Sequence, residues 1–137
     1  MNLFIDTSAF LAILNSDDLF HQQAKRIWMD VLSNNNNLVC SNYILVETIA
    51  LLQSRSGLEA VRIFENRIQP VIDIVWIDEL THKNALRTLI LTNRRRLSLV
   101  DCTSFVILRN QNYDQVFTFD SHFSEAGFSV LPNPIRD

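Results

Sequence analysis

Four acids in this chain stand where acids are costly. Asp6 closes the apolar run Leu3–Ile5 in MNLFIDTSAF, and Glu47 lies inside YILVETIALL. Asp101 lies inside LSLVDCTSFVIL, and Asp120 ends VFTFD. An ionised carboxylate in apolar company is tolerated only when it is paired, protonated or bound to a cation. The residues three and four positions from Glu47 are Tyr43, Ile44, Ala50 and Leu51; those around Asp101 are Leu97, Ser98, Ser104 and Phe105. Neither acid has a base within local helical reach. Each acid also has a plainer explanation. Asp6 can cap a helix starting near Thr7 or Ser8, Ser98 and Asp101 have capping-box spacing, and Asp120 can cap a turn over Ser121–Glu125. Glu47 lies several residues past any cap at Ser41 or Asn42, which leaves a remote salt bridge as its plain explanation.

If the four converge, their repulsion must be relieved by protons or by a cation. Oxygen-only donors select a hard ion, Mg²⁺ or Mn²⁺. Such a centre suits phosphoryl chemistry. It lowers the pKa of a bound water for in-line hydrolysis of a phosphodiester, and a second ion ~4 Å away would stabilise the leaving oxygen. The three histidines, His21, His82 and His122, show no ligand spacing and are expected at surface or edge positions. No Ser–His–Asp or Cys–His arrangement competes as a nucleophile.

The elements that must position these acids alternate. Short β-rich runs occur at Leu3–Asp6, Leu38–Ser41, Ile74–Ile77, Val116–Phe119 and Ser129–Leu131. Helical periodicity spans about Leu19–Leu32, Ile44–Arg55, Leu58–Ile68, Leu80–Asn93 and Leu99–Asn110. Alternation predicts an α/β protein whose parallel sheet is covered on both faces, with all strand C-termini on one edge. Ligands bind outside that edge, where strand order reverses. Asp6 and Asp120 both end strands and are expected to face that opening. The helix carrying Glu47 is apolar nearly all round, which predicts extensive burial. The Asn34–Asn37 run reads as a solvated loop.

A chain of 137 residues, 47% of them hydrophobic, fits one domain over 1–137 with a substantial core. Two glycines exclude a Walker A loop and a GxGxxG turn. A net charge of −3 means that any nucleic-acid contact must come from a local patch. Cys40 and Cys102 sit among apolar neighbours and read as reduced core thiols, which suits a cytoplasmic protein. Neither a signal peptide nor a membrane-spanning run is expected.

The stretches FIDTSAFLAIL, SNYILVETIALL, RRLSLVDCTSFVIL and FTFDSHFSEAGF, in that order, resemble the PIN domain, and more closely the VapC-type toxin ribonucleases. The resemblance implies a three-layer α/β/α fold with a five-stranded parallel sheet in the order 3-2-1-4-5. It implies a metal-dependent endoribonuclease in which Asp6 and Asp101 ligate metal directly and Glu47 ligates directly or through water. Asp120 would hold a second metal or orient the attacking water. Ser8, Thr7 and Thr118 match hydroxyl positions that steady the site. A small antitoxin directing a basic side chain into the crevice, and a homodimer, are implied as well. Phe10, Leu14 and Trp28 read either as interface or as core.

RNA must be drawn to an acidic site. Arg94, Arg95 and Arg96 form the densest basic run, just before the Asp101 helix; Lys83 and Arg87 could extend that face, and Arg55 follows the Glu47 helix. These are read as phosphate grips or as a solvated helix end favoured by the dipole. No aromatic stacking platform is evident. The alternatives are a PIN-fold RNA-processing nuclease without an antitoxin, a haloacid-dehalogenase-like phosphatase, and a non-catalytic interaction module. The phosphatase would want a second acid two residues after Asp6, where this chain has Ser8.

Overall fold

The computed structural model describes residues 1–133. Five parallel strands form one sheet in the order β3-β2-β1-β4-β5, as the resemblance implied. They are β1 (Asn2–Ile5), β2 (Asn37–Ser41), β3 (Asp73–Val75), β4 (Gln115–Phe117) and β5 (Val130–Leu131). The helices between them are α1 (Thr7–Leu14), α2 (His21–Ser33), α3 (Asn42–Ser56), α4 (Leu58–Ile63), α5 (Glu79–Thr92), α6 (Leu99–Asn110) and α7 (Ser121–Glu125). Strand β1 is central, and Leu3, Phe4 and Ile5 are fully buried, the mark of a parallel strand covered on both faces. Phe4 of β1 pairs in register with Val39 of β2 and Val116 of β4.

One apolar cluster unites the layers. Phe10 of α1 meets Phe64 edge to face at 5.2 Å, and Phe105 of α6 meets Phe123 of α7 at 5.3 Å. Fully burying such a ring stabilises by about 1.5–3 kcal/mol relative to exposure. Phe10 and Trp28 belong to this core, with Leu14 partly buried against it, so the core reading of these residues holds. Cys40 and Cys102 are buried free thiols.

Three local expectations are corrected. The α3 helix is not buried all round: Ile44, Leu45, Thr48 and Leu52 face the core, but Val46 is 68% exposed, because the helix covers only one face of the sheet. The Leu58–Ile68 helix is α-helical only to Ile63; Phe64–Ile68 widens into a π turn whose two ends, Phe64 and Ile68, are both buried. The polyasparagine loop is shorter than expected, since Asn37 already opens β2 while Asn35 adopts a left-handed φ of 57°. Gly57 separates α3 from α4. Its φ of 87° is disfavoured for residues with a Cβ, and its N–H closes the end of α3 on the Leu52 and Gln53 carbonyls.

Candidate functional site

Strand order reverses at β1. The chain leaves β1 for β2 on one side, and β4 later docks on the other, so the crevice lies beyond the C-termini of β1 and β4. The Asp6 N–H donates to the Phe117 carbonyl at 3.0 Å, tying the two strand ends together. Asp6 thus follows β1, while Thr118, Phe119 and Asp120 follow β4. The N-terminus of α6 brings Asp101 to the same place.

The plain explanations for three of the acids are correct, and they leave half of each carboxylate unused. Asp6 caps α1 through Oδ2, which accepts from the Ser8 N–H (3.3 Å), the Ser8 hydroxyl (2.7 Å) and the Thr118 hydroxyl (3.0 Å). Asp101 completes a capping box: its Oδ2 accepts from the Ser98 N–H at 3.1 Å, and the Ser98 hydroxyl accepts from the Asp101 N–H at 3.0 Å. Asp120 caps α7 through Oδ1, which accepts from the His122 N–H at 2.9 Å. Among the described residues the second oxygens, Oδ1 of Asp6 and Asp101 and Oδ2 of Asp120, accept no hydrogen bond. No fully buried side-chain oxygen lacks a partner among those residues, so these second oxygens are open to solvent.

The hydroxyls brace this arrangement. Ser8 Oγ accepts from the Phe119 N–H at 2.9 Å and lies 3.2 Å from Thr118 Oγ1, which accepts from the Asp120 N–H at 3.0 Å. Thr7 is buried, and its Oγ1 accepts from Thr48 Oγ1 at 3.3 Å. Glu47 comes from one side of α3, partly buried, and is coupled electrostatically to Asp101 and Asp120.

The site is strained by its own charge. Burial pushes the Asp6 carboxyl up from 3.8 to about 6; the Ser8 and Thr118 hydroxyls oppose the rise, and the charges of Asp101 and Asp120 add to it. Burial raises Glu47 too, against a hydrogen bond to Thr7 and with the same two aspartates adding. Asp6 and Asp101 are nearly sealed, at 4% and 9% exposed. Asp101, Asp120 and His122 each offer one donor atom within 4.8 Å of the others, a spacing that a single ion could bridge. Among the described residues no Lys or Arg forms a salt bridge with any of the four acids. The Asp101–Asp120–His122 group joins one imidazole to two carboxylates and does not include Asp6 or Glu47, which are tied to Asp101 and Asp120 by electrostatic coupling; a set dominated by carboxylate oxygens fits a hard divalent ion.

A PIN domain family model matches residues 3–129. The 23S rRNA-specific endonuclease VapC20 of Mycobacterium tuberculosis is 34% identical over 127 residues, covering 92% of this chain and 95% of that protein. This chain belongs to the PIN-domain family. The crystal structure of Mycobacterium tuberculosis VapC20, described as a sarcin-ricin loop cleaving toxin, superimposes with a TM-score of 0.82 at 33% identity, covering 96% of this chain and 99% of that one. FitAcB from Neisseria gonorrhoeae (TM-score 0.65, 18% identity, 93% of this chain and 95% of that one) shares the fold. So does VapBC2 from Rickettsia felis bound to a promoter DNA fragment (TM-score 0.64, 12% identity, 95% and 97%).

Within this PIN domain two features escaped the sequence reading. His122 was expected at a surface or edge position, but its Nδ1 lies 3.3 Å from Asp101 Oδ2 and 3.2 Å from Asp120 Oδ1. With its proton on Nδ1 it donates to the same oxygens that serve the caps. The signal was the Asp120-x-His122 spacing at a strand end, which folds the imidazole back over the cap. The second is an aromatic pair, although no platform was evident in the sequence: Phe20 stacks on Phe119 at 4.7 Å with 7° between the rings.

The basic residues separate. Arg94, Arg95 and Arg96 are exposed between α5 and α6, and Arg94 is tied to Glu125 at 3.3 Å. Arg87 lies with Lys83, Leu86, Ile90 and Leu91 around a shallow cleft on α5 that includes none of the four acids. Arg55 lines a cleft with Ser8, Asp18 and Phe20; this cleft also includes none of the four acids and meets the centre only through Ser8, which donates to Asp6.

Proposed function

We propose that this PIN-domain protein is a divalent-metal-dependent endoribonuclease that cuts RNA phosphodiesters by water attack. The observation that carries the reading is the meeting of donor atoms from Asp101, Asp120 and His122 within 4.8 Å of one another, with buried Asp6 coupled electrostatically to both aspartates. When bound there, Mg²⁺ or Mn²⁺ supplies charge neutralisation and acidifies a coordinated water. The residues of the chain do the remaining work. Asp6 and Asp101 would hold the ion, with the Ser8 and Thr118 hydroxyls fixing Asp6 through its capping oxygen. Glu47, or Asp120 beside His122, would orient a water and take its proton at a carboxylate oxygen. Burial of Asp6 keeps competing bulk water from the centre.

The likeness to VapC20 supports 23S rRNA as the first substrate to test and a toxin's role for the chain. A small antitoxin that places a basic side chain among the acids suits a crevice without a salt-bridged Lys or Arg. A homodimer would cover the exposed apolar residues Trp76, Leu80, Ile90 and Leu91. No helix among the described residues is long and apolar enough to cross a membrane.

The test is direct. Purified protein is incubated with 23S rRNA and Mg²⁺ or Mn²⁺, and discrete fragments are expected. EDTA should stop cleavage and added metal should restore it. Cleavage that persists in EDTA, or in Asp101→Asn, places the hydrolytic centre elsewhere.

A further inference from the structure

The Phe20–Phe119 stack stands between two clefts. One, of about 300 Å³, is lined by Ser8, Phe20, Arg55 and Phe119; the other, of about 310 Å³, by Phe20, Thr118, Phe119 and Asp120. Both clefts therefore share the aromatic pair; the first reaches Ser8, which donates to Asp6, and the second reaches Asp120. Phe119 is anchored, since its N–H donates to Ser8 Oγ and its ring meets Phe117 at 5.8 Å. Phe20 lies on top and is 39% exposed.

Its loop is built to hold it still. Asn15 Oδ1 accepts from the Asp17 N–H at 3.0 Å, and Asp18 Oδ1 accepts from the Phe20 N–H at 2.9 Å. The next residue, His21, places Nδ1 2.8 Å from the Ala12 carbonyl. An apolar ring fixed at a crevice rim by successive side-chain turns gives up hydrophobic burial, and nothing in the core needs it there. Arg55 lines the same cleft and forms no salt bridge among the described residues.

We propose that Phe20, backed by Phe119, is a base-stacking platform for an unpaired nucleotide next to the scissile phosphate, with Arg55 gripping a backbone phosphate beside it. The reading rests on the RNA-hydrolase function above. A flat ring shared by one cleft holding a cation and another holding Asp120 matches the base, phosphate and scissile bond of single-stranded RNA. A protein segment would not require the parallel ring pair.

The probe is a short single-stranded RNA carrying one 2-aminopurine, moved through successive positions. It is titrated with Mg²⁺ into the cleavage-blocked Asp101→Asn protein. Stacking quenches 2-aminopurine at one position. Added to that background, Phe20→Leu, which keeps apolar bulk, should weaken binding roughly tenfold and abolish the quench, while Phe20→Tyr should stay within about twofold. Arg55→Gln should flatten the dependence of log Kd on log salt by about 0.7. Equal binding and equal fluorescence with and without the Phe20→Leu change overturns the platform and leaves this ring as a protein-docking contact. Absence of quenching at every position overturns it too. These failures are distinct from those of the nuclease reading, which are read from cleavage itself: none by the unmutated protein with metal, or cleavage that persists in EDTA or in Asp101→Asn.

Discussion

Asp6→Asn is expected to make the metal-free protein more stable while destroying its activity. The carboxyl rises from 3.8 to about 6 in the folded protein, mainly through burial. At neutral pH that rise corresponds to about 3 kcal/mol against the folded state. Asparagine keeps the shape and one carbonyl oxygen for the Ser8 and Thr118 hydroxyls. The charge assistance of those bonds already opposes the rise and is contained in it. The gain therefore approaches about 3 kcal/mol, or roughly 9–12 °C in Tm for a chain of this size. The sign with pH follows from a raised acid. The folded protein holds a proton that the unfolded chain has released between pH 3.8 and about 6, so wild-type stability falls as pH rises through that window. Glu47, also raised, acts in the same direction. The advantage of Asp6→Asn should be present in EDTA at about pH 7.5 and nearly gone at about pH 4, as read by thermal unfolding. Mg²⁺ at about a thousandfold excess over Kd should reverse the order, because wild type then gains about 4.1 kcal/mol and the variant gains little. A variant less stable than wild type in EDTA at that higher pH would refute the reasoning and make Asp6 an ordinary charged cap.

Other outcomes follow from the same geometry. Ser8→Ala removes the hydroxyl donor to Asp6 Oδ2 and leaves the backbone N–H in place; rRNA cleavage should fall about 10- to 100-fold, as for other residues that orient metal ligands. Asp101→Ala loses the capping box as well as the centre and should cost about 1 kcal/mol in urea unfolding, whereas Asp101→Asn should abolish cleavage with a smaller stability loss. Replacing Arg95 and Arg96 by Gln should raise KM and weaken its salt dependence; Arg94→Gln should do less, because Arg94 is already paired with Glu125. An unchanged salt slope for the double variant would assign the run to solvation of a helix end.

By itself the sequence determined the alternation of strands and helices, because apolar periodicity and strand length are local properties. It also marked the four acids, since a carboxylate among Leu, Val and Ile is conspicuous wherever it folds. Local spacing identified the caps at Asp6, Ser98–Asp101 and Asp120, and the structure retains all three. Only the tertiary structure decided that Asp101 and Asp120 meet within reach of one ion. It alone decided that His122 closes over Asp101, that Phe20 meets Phe119 from the far end of the chain, and that Arg55 shares a cleft with Ser8 and Phe20 while the Arg87 cleft stays on α5. Those contacts join positions widely separated in sequence. Their distances are set by strand order and helix packing, and no local pattern of residue types encodes them.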